Sequence, residues 1–280
     1  MEALGEGVTK VQVGDAVTVR PQYTCGECYH CRSGHENICH NLKVIGCNGS
    51  VPGGAQEYIA IKERLVFKLP DTFTFDDGAM VEPVAVAAAA VRSFTQSVEG
   101  KNILVLGAGT IGNLVAQAAK AMGAKAVMIT DLCDEKLKIA QKCGIDYTVN
   151  SGKENLEEKV EEAFGKDGLD GALECVGIEA TINQAIQVCR KRDEIIVVGV
   201  YGKRPAIDMI NVQEKELHLI GTLMYLEQDY HESIRLISQG KICLDPLKTK
   251  HFKLEEYMQA YKYIEDNPAD TMKVLIDVGE

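Results

Sequence analysis

Two kinds of hydrophobic pattern divide the chain. From about residue 8 to residue 70, short β-branched stretches are separated by glycine, proline and asparagine, which is typical of antiparallel strands joined by turns. These stretches lie at residues 16–19, 57–61 and 65–67. After Pro83 the pattern changes to strands that alternate with helices, and this alternation predicts βαβ units and a parallel sheet. The main domain boundary is therefore expected near Glu82 and Pro83.

The second part contains enough strands for a complete doubly wound sheet. Six are predicted, at residues 102–106, 126–130, 146–149, 168–174, 194–200 and 216–222. Helices are predicted between them at 110–122, 135–143 and 154–164, where apolar residues recur at helical spacing. A helix at 231–239 and a last strand at 272–278 follow, and that strand needs a sheet to join. We therefore predict domains at 1–83 and 84–224, with residues 225–280 returning to the first domain.

Composition limits the kinds of partner. The chain of 280 residues is 46% hydrophobic and 25% charged, as in soluble globular proteins, and its net charge is -11. This charge argues against nucleic acid and anionic membranes, because both would repel it. Ten cysteines without an apolar signal segment or membrane-length run indicate a reducing cytoplasmic environment. A small-molecule ligand is the expected partner.

A glycine-rich turn lies where the first strand of the sheet meets its helix. Gly107, Gly109 and Gly112 have the spacing G-x-G-x-x-G directly after strand 102–106, and this context predicts a dinucleotide site. Thr110 and Ile111 complete the turn, and the phosphates are expected at the helix N-terminus. Asp131 ends the second strand, where a carboxylate binds ribose hydroxyls and repels a 2′-phosphate, so NAD is predicted over NADP. The alternative is a glycine turn that binds no ligand.

Four cysteines form a second candidate site in a loop of the first domain. Cys25, Cys28, Cys31 and Cys39 are spaced to bind one zinc ion tetrahedrally, and four thiolates leave no open coordination position, so this zinc would be structural. A redox C-x-x-C pair is the alternative. His30, His35 and His40 are interpreted as surface residues, and the Gly-His-Glu sequence at 34–36 as a decoy. The other cysteines are expected to be packed small hydrophobes: Cys47, Cys133, Cys143, Cys175, Cys189 and Cys243.

The cysteine array, the glycine fingerprint and several short motifs occur in an order that resembles the medium-chain zinc-dependent alcohol dehydrogenases. These motifs are residues 13–15, 53–58 and 81–83. The pair at 82–83 and the sequences at 174–177 and 221–225 resemble the polyol branch, which comprises butanediol, sorbitol and threonine dehydrogenases. The resemblance implies a Rossmann domain and a GroES-like β domain with a structural zinc lobe. It also implies a cofactor cleft lined by Val176, Gly177, Val198, Gly199 and Val200, and Lys273 reaching the pyrophosphate.

The resemblance further implies a catalytic zinc that polarises the substrate hydroxyl while hydride passes to NAD. In the family a cysteine and a Gly-His-Glu histidine, both upstream of the cysteine lobe, bind this zinc, and only the associated carboxylate has a counterpart here, Glu82. We therefore expect the GroES-like domain to be incomplete, the catalytic zinc to be absent from these 280 residues, and Met1 to be a misplaced start. A helix-capping role is the alternative for Glu82. Ala89 departs from the polyol branch, which usually has histidine there.

Three functions compete at this stage. The first is an NAD-dependent dehydrogenase of secondary alcohols or polyols, represented here by a truncated chain that is expected to bind the cofactor with little turnover. It would form a homodimer or homotetramer through its nucleotide domains, as the family does. The second is a catalytically silent NAD-binding paralogue in which the zinc lobe serves assembly. The third, a zinc-ribbon nucleic-acid binder, is opposed by the net charge.

Overall fold

A computed structural model describes residues 1–47, 49 and 51–279. The strands are β1 (Val17–Val19), β2 (Gln22–Tyr23), β3 (Lys43–Val44), β4 (Val66–Lys68), β5 (Asn102–Leu106), β6 (Ala126–Asp131), β7 (Tyr147–Asn150), β8 (Ala172–Glu174), β9 (Glu194–Val197), β10 (His218–Gly221), β11 (Lys248–Lys253) and β12 (Lys273–Asp277). The helices are α1 (Tyr29–Arg32), α2 (Phe75–Arg92), α3 (Thr110–Ala121), α4 (Asp134–Lys142), α5 (Leu156–Phe164), α6 (Glu179–Val188), α7 (Met209–Glu214), α8 (Glu227–Ser238) and α9 (Tyr257–Asp266).

These elements form two compact units. Unit 1 contains Met1–Ala85, Met224–Gln239 and the residues from Lys248 onward. Unit 2 contains Val86–Leu223 and Gly240–Leu247. Two segments that follow the parallel sheet in sequence are thus grouped with the N-terminal residues.

Unit 2 is built on a six-stranded parallel sheet with the order β10-β9-β8-β5-β6-β7. Its central strand β5 is apolar from Ile103 onward, and Ile103, Leu104, Val105 and Leu106 are completely buried, as expected for a strand covered on both faces. The strand order reverses between β5 and β8. In doubly wound sheets, ligands bind beside the carboxyl ends of the strands at such a reversal.

Unit 1 combines short strand pairs with helices from both ends of the chain. β1 pairs antiparallel with β4, β2 pairs antiparallel with β3, and β11 pairs parallel with β12. Helix α8 packs on the first pair through Tyr230, whose hydroxyl donates to the Val19 carbonyl at 2.9 Å and whose ring lies 4.9 Å from that of Phe67. The residues after position 224 therefore contribute to the core of the N-terminal strands.

The predicted elements of the sheet are present with small shifts at their ends, and the first part differs more. Residues 57–61 form no strand in the structure, because no neighbouring strand among the described residues pairs with them. Strand β8 begins at Ala172 and not at Gly168, since Gly168 belongs to the turn after α5. Helix α5 begins at Leu156 because the Asn155 side chain caps it by accepting the N–H groups of the next turn.

Helix α2 runs through the predicted boundary. It begins at Phe75, where Thr74 and Asp77 exchange hydrogen bonds as a capping box, and continues through Pro83 to Arg92. Glu82 therefore lies inside a helix, and the interpretation of Glu82 as a helix cap is wrong. The division between the two units falls at Ala85, three residues after Glu82.

Among the described residues, no helix is both long enough and apolar enough to span a bilayer.

Candidate functional site

Close backbone packing at the carboxyl ends of β5 and β8 explains two of the fingerprint glycines. Gly107 has a φ of +100°, and a Cβ there would lie 2.6 Å from a methyl group of Val176. A Cβ on Gly112 would lie 1.8 Å from the Gly107 carbonyl oxygen. Only glycine permits α3 to begin this close to the strand, as the fingerprint predicts.

Gly109 differs from these two glycines because the space that a side chain would occupy there is empty. It is the N-cap of α3 with φ of -65° and ψ of -178°, and a Cβ added to it would meet no atom within 4 Å. The first main-chain bond of the helix runs from Asn113 N–H to the Gly109 carbonyl. The first turn of the helix, which begins with Thr110 and Ile111, therefore directs main-chain N–H groups toward the open side, which is the arrangement that binds phosphate.

Asp131 is fixed at the end of β6 by the backbone around it. Its two carboxylate oxygens accept N–H groups from Ala108 at 2.8 Å and from Cys133 at 2.9 Å. A cavity of about 160 Å³ adjoins this carboxylate and the turn at Gly107. Its lining includes Thr130, Leu132, Ser151, Val176, Ile178 and Thr181. The carboxylate, the glycine turn and an apolar cavity are thus adjacent, which fits the ribose and adenine of a dinucleotide.

A buried carboxylate organises the loop that follows β8. Glu174 is completely buried, and one of its oxygens accepts the N–H groups of Val176 at 2.8 Å and Gly177 at 2.9 Å. The same oxygen accepts the Thr181 hydroxyl at 2.8 Å, and the other accepts the Tyr201 hydroxyl at 2.9 Å. Burial and the Glu174 carboxylate raise the pKa of Tyr201, so this hydroxyl remains protonated and donates.

The loop after β8 also contacts the loop after β9 through glycines. Gly177 has a φ of +81°, and a Cβ on Gly199 would lie 2.2 Å from the Gly177 nitrogen. The N–H groups of Val198 and Gly199 both donate to the Glu174 carbonyl at 2.9 Å. Beyond this contact the Val200 side chain is 89% exposed. The structure therefore brings the sequence-predicted residues 176–177 and 198–200 together at the same edge of the sheet as the fingerprint.

The four predicted zinc ligands converge in unit 1. Their sulfur atoms all lie within 4.8 Å of one another. Three sulfur separations are 3.9 Å for Cys25 and Cys31, 3.9 Å for Cys28 and Cys39, and 3.5 Å for Cys25 and Cys39. Four sulfurs around one zinc at about 2.3 Å are separated by about 3.8 Å. The residues therefore fit a tetrahedral zinc site with every position filled by thiolate.

Main-chain N–H groups point at these sulfurs. The Cys25 and Asn41 N–H groups donate to the Cys39 sulfur at 3.4 and 3.3 Å. N–H groups of Cys31 and His40 lower the pKa of Cys28 to about 6, whereas burial raises the pKa of Cys31 to about 12. Four thiolates so close together require a cation to offset their repulsion. This arrangement favours a metal ion over a redox pair.

A buried ion pair connects the cysteine lobe to the strands. Arg20 is 1% exposed, and its guanidinium donates to Glu36 at 2.5 Å, while Thr24 donates to the other oxygen of Glu36 at 3.2 Å. Glu36 belongs to the Gly-His-Glu sequence at 34–36, and it serves this ion pair. His35 is exposed and does not belong to the cysteine cluster, in agreement with its interpretation as a surface residue.

Two further predicted residues lie in unit 1. The Glu82 carboxylate accepts a hydrogen bond from the Tyr225 hydroxyl at 2.8 Å. Burial and this carboxylate raise the pKa of Tyr225, so its hydroxyl remains a donor that fixes one oxygen of Glu82. Lys273 is the first residue of β12. Its predicted role at the pyrophosphate stays a prediction.

Sequence reasoning missed two hydroxyl groups of the network around Glu174. Thr181 and Tyr201, which donate to Glu174, were not predicted, although both follow strands of the parallel sheet and that position is a detectable signal. The expectation that all remaining cysteines are packed is wrong for Cys47 and Cys243, which are exposed, because both lie in irregular segments and not on a core face.

Together, the glycine-lined switch point of the parallel sheet and the four-thiolate lobe define a zinc-containing dinucleotide oxidoreductase. Comparison with known proteins gives the family. The zinc-binding dehydrogenase model matches residues 110–239, and the alcohol dehydrogenase GroES-like domain model matches residues 1–71. The chain belongs to the medium-chain zinc-dependent alcohol dehydrogenase family.

Three relatives illustrate this family. The 2-dehydro-3-deoxy-L-galactonate 5-dehydrogenase of Pseudoalteromonas atlantica is 34% identical over 98% of this chain and 79% of the relative. The 2R,3R-butanediol dehydrogenase of Bacillus subtilis is 30% identical, with a TM-score of 0.89 over 99% of this chain and 78% of that structure. An alcohol dehydrogenase of Escherichia coli CFT073, solved with NADH, is 26% identical with a TM-score of 0.89 over 98% and 80%. The chain is an oxidoreductase of the alcohol and polyol dehydrogenase type.

Proposed function

We propose that this protein transfers hydride between NAD and a secondary alcohol or polyol. The observation that carries the proposal is the arrangement of Gly109, Asp131 and the cavity beside them at the reversal of the parallel sheet. The relatives support the substrate class, since one acts on a polyhydroxy acid and another on a diol. That these relatives are named dehydrogenases favours an enzyme over a silent paralogue.

The chain's own residues would bind the cofactor in parts. The first turn of α3 would hold the pyrophosphate through main-chain N–H groups, because the open face of Gly109 lets the phosphates approach. Asp131 would accept the ribose hydroxyls with a carboxylate that the backbone already orients. Val176 and Val200, both exposed at the loops after β8 and β9, would provide the apolar wall of the nicotinamide cleft.

When bound, NAD supplies the hydride acceptor. In this family a catalytic zinc supplies the electrophile for the alcohol oxygen, but Glu82 is the only counterpart of its ligands in this sequence and belongs to no metal cluster among the described residues, so these residues do not by themselves fit that zinc. Glu82 would be the carboxylate of this chain nearest that chemistry. Tyr225 holds it in one orientation by donating to one oxygen. The four lobe cysteines would hold the structural zinc, which leaves no position for substrate.

Replacing Gly109 by alanine tests the cofactor site directly. Alanine can adopt the backbone angles of Gly109 and its Cβ meets no protein atom, but alanine is a poorer N-cap than glycine, so the free energy of unfolding should fall by no more than about 1 kcal/mol. The same Cβ would occupy the approach of the pyrophosphate. We expect the Kd for NADH, measured by titration calorimetry, to rise at least about tenfold.

Gly54→Ala is the matched control for this substitution, because a Cβ on Gly54 also meets nothing within 4 Å. It should bind NADH like the parent chain. Unchanged NADH affinity in Gly109→Ala would show that the dinucleotide lies elsewhere.

The choice of NAD over NADP should depend on Asp131. In Asp131→Asn the charge that repels a 2′-phosphate is lost, and a charge-assisted hydrogen bond to ribose becomes a neutral one. The affinity for NADH should fall roughly tenfold, which corresponds to about 1.4 kcal/mol of binding free energy. The difference between the affinities for NADH and NADPH should become smaller. Asp134→Asn is the control, because it makes the same charge change three residues later. It should leave the difference between the affinities for NADH and NADPH unchanged. Equal NADH and NADPH affinities in the parent chain would contradict the assignment.

The relatives' family also suggests how copies of the chain associate. In the described part of the chain, β10 pairs only with β9 and so forms an open edge of the parallel sheet. Two such edges can pair around a twofold axis. We expect sedimentation equilibrium to give the mass of a dimer or tetramer. A monomer at micromolar concentration would refute this association.

A further inference from the structure

Two cysteines that are distant in sequence meet in unit 2. Cys143 is the C-cap of α4, and Cys243 lies in the 240–247 segment. The Cys143 sulfur lies 3.8 Å from the Cys243 carbonyl oxygen, so the two residues are direct neighbours. Neither residue belongs to the zinc lobe or to the proposed cofactor site.

The backbone of Cys243 is held in place by a buried side chain of α3. The Gln117 amide oxygen accepts the Cys243 N–H at 2.6 Å, and its amide nitrogen donates to the Cys243 carbonyl at 3.2 Å. Gln117 also donates to Asn113 at 2.9 Å, and these two amides are 3% and 0% exposed. The position of Cys243 beside Cys143 is therefore fixed by buried hydrogen bonds and not left to a loose loop.

A buried donor faces the same pair. The side-chain nitrogen of Asn113 is buried and has no partner at hydrogen-bond distance among the described residues. The Asn113 side chain nevertheless lies near enough to the Cys143 sulfur to lower its pKa, against the larger effect of burial. An N–H donor beside a sulfur stabilises negative charge that develops on it.

The two thiols differ in access to solvent. Cys243 is exposed, whereas Cys143 is half-buried and its burial raises its pKa to about 12. A soluble oxidant would therefore reach Cys243 first, and Cys143 would be the second thiol to react.

We propose that Cys143 and Cys243 are a redox-sensitive dithiol that closes to a disulfide when a hydroperoxide is the oxidant. The Cys243 sulfur attacks hydrogen peroxide, an S–O bond forms as the O–O bond breaks, and the thiol proton leaves with the other oxygen as water. The Cys143 sulfur then attacks the Cys243 sulfur, the S–S bond forms, and the hydroxyl departs as a second water with the Cys143 proton. Two thiols are oxidised by two electrons, and one peroxide is reduced to two waters.

The disulfide would join the end of α4 to the 240–247 segment that α3 holds. Both helices flank β6, the strand that carries Asp131. Closing the bond restricts the unfolded chain across the long segment between the two cysteines, so the oxidised protein should melt at a higher temperature than the reduced protein. A thiol reductant should reverse the shift.

Peptide mapping tests the pair. Tryptic cleavage after Lys142, Lys153, Lys241 and Lys248 gives peptides 143–153 and 242–248, each with one cysteine. After treatment of the folded, zinc-loaded chain with hydrogen peroxide and alkylation of free thiols, we expect these peptides linked with the loss of two hydrogens. Dithiothreitol should separate them.

Three variants distinguish this pair from general thiol oxidation. In Cys143→Ser, Cys243 should accumulate as sulfinic acid, because no second thiol captures the first oxidation product. In Cys243→Ser, Cys143 should remain alkylatable at the same peroxide dose. In Cys47→Ser, which removes another exposed cysteine, the linked peptides should persist. The proposal is wrong if Cys243 of the parent chain is oxidised to sulfinic acid while Cys143 stays a free thiol, or if the link forms only in denaturant.

Discussion

Cys39→Ser should release the zinc of the cysteine lobe and disorder residues 25–39. Cys39 is the most buried of the four ligands, at 6% exposure, and its sulfur accepts two main-chain N–H groups. Structural zinc sites of four thiolates contribute about 10–16 kcal/mol of apparent binding free energy, which is as large as the whole free energy of unfolding of a typical domain. We expect elemental analysis to show the loss of about one zinc per chain and amide exchange of the lobe to approach that of an unfolded segment.

Cys47→Ser provides the control, because Cys47 is exposed and lies outside the metal cluster. It should keep its zinc and the protection of its lobe amides. If Cys39→Ser retained the metal with full protection, zinc would not be what orders this lobe.

Glu174→Ala should destabilise unit 2 by several kcal/mol and weaken NADH binding. The substitution removes the acceptor of two N–H groups and two hydroxyls, and of these four donors only the Thr181 hydroxyl has another acceptor, the Ile178 carbonyl at 3.2 Å. A fully buried donor that loses its partner costs about 1–3 kcal/mol, and of the three donors left without an acceptor only the Gly177 N–H is in a fully buried bond, so the loss of unfolding free energy should be roughly 3–6 kcal/mol. Because Val176 and Gly177 lose their anchor, the Kd for NADH should also rise. Urea unfolding and NADH titration measure the two effects.

Two milder variants show whether the carboxylate itself is needed. Glu174→Gln keeps the shape and one oxygen, so it should retain most of the stability. Tyr201→Phe removes a single hydroxyl donor and leaves one oxygen of the buried carboxylate unpaired, so it should cost about 1–3 kcal/mol, less than Glu174→Ala. If Glu174→Ala were no less stable than Tyr201→Phe, the hydrogen bonds to Glu174 would not hold the loop after β8.

The parallel sheet could be predicted from the sequence because most of its strands contain consecutive apolar residues and amphipathic helices lie between them. Strand 102–106 was predicted with its observed ends. The first part was harder, because its strands are two or three residues long and depend on their partners more than on their own pattern. Residues 57–61 have a good strand composition and still form none, since strand propensity requires a neighbouring strand to take effect.

The metal cluster was predictable because the spacing of the four cysteines along the sequence indicates which sulfur atoms can bind one metal ion. The four sulfurs meet as expected, although nothing in the spacing indicated that Arg20 would fix the lobe through Glu36. The proximity of Cys143 and Cys243 could not be predicted from the sequence either. It depends on Gln117 of α3 positioning the backbone of a remote segment, and no local pattern encodes that contact.

The order of strands in the sheet has a consequence for how the chain acquires its structure. The central strand β5 pairs on one side with β6, the next strand in sequence, and on the other with β8, whose residues are synthesised much later. Closing the second pairing costs more chain entropy than closing the first, because the intervening loop is longer. During synthesis on the ribosome, β5, β6 and β7 can therefore pair before β8 is available. In this nascent species one edge of β5 is unpaired and its apolar residues are exposed, so it is the species most dependent on a chaperone.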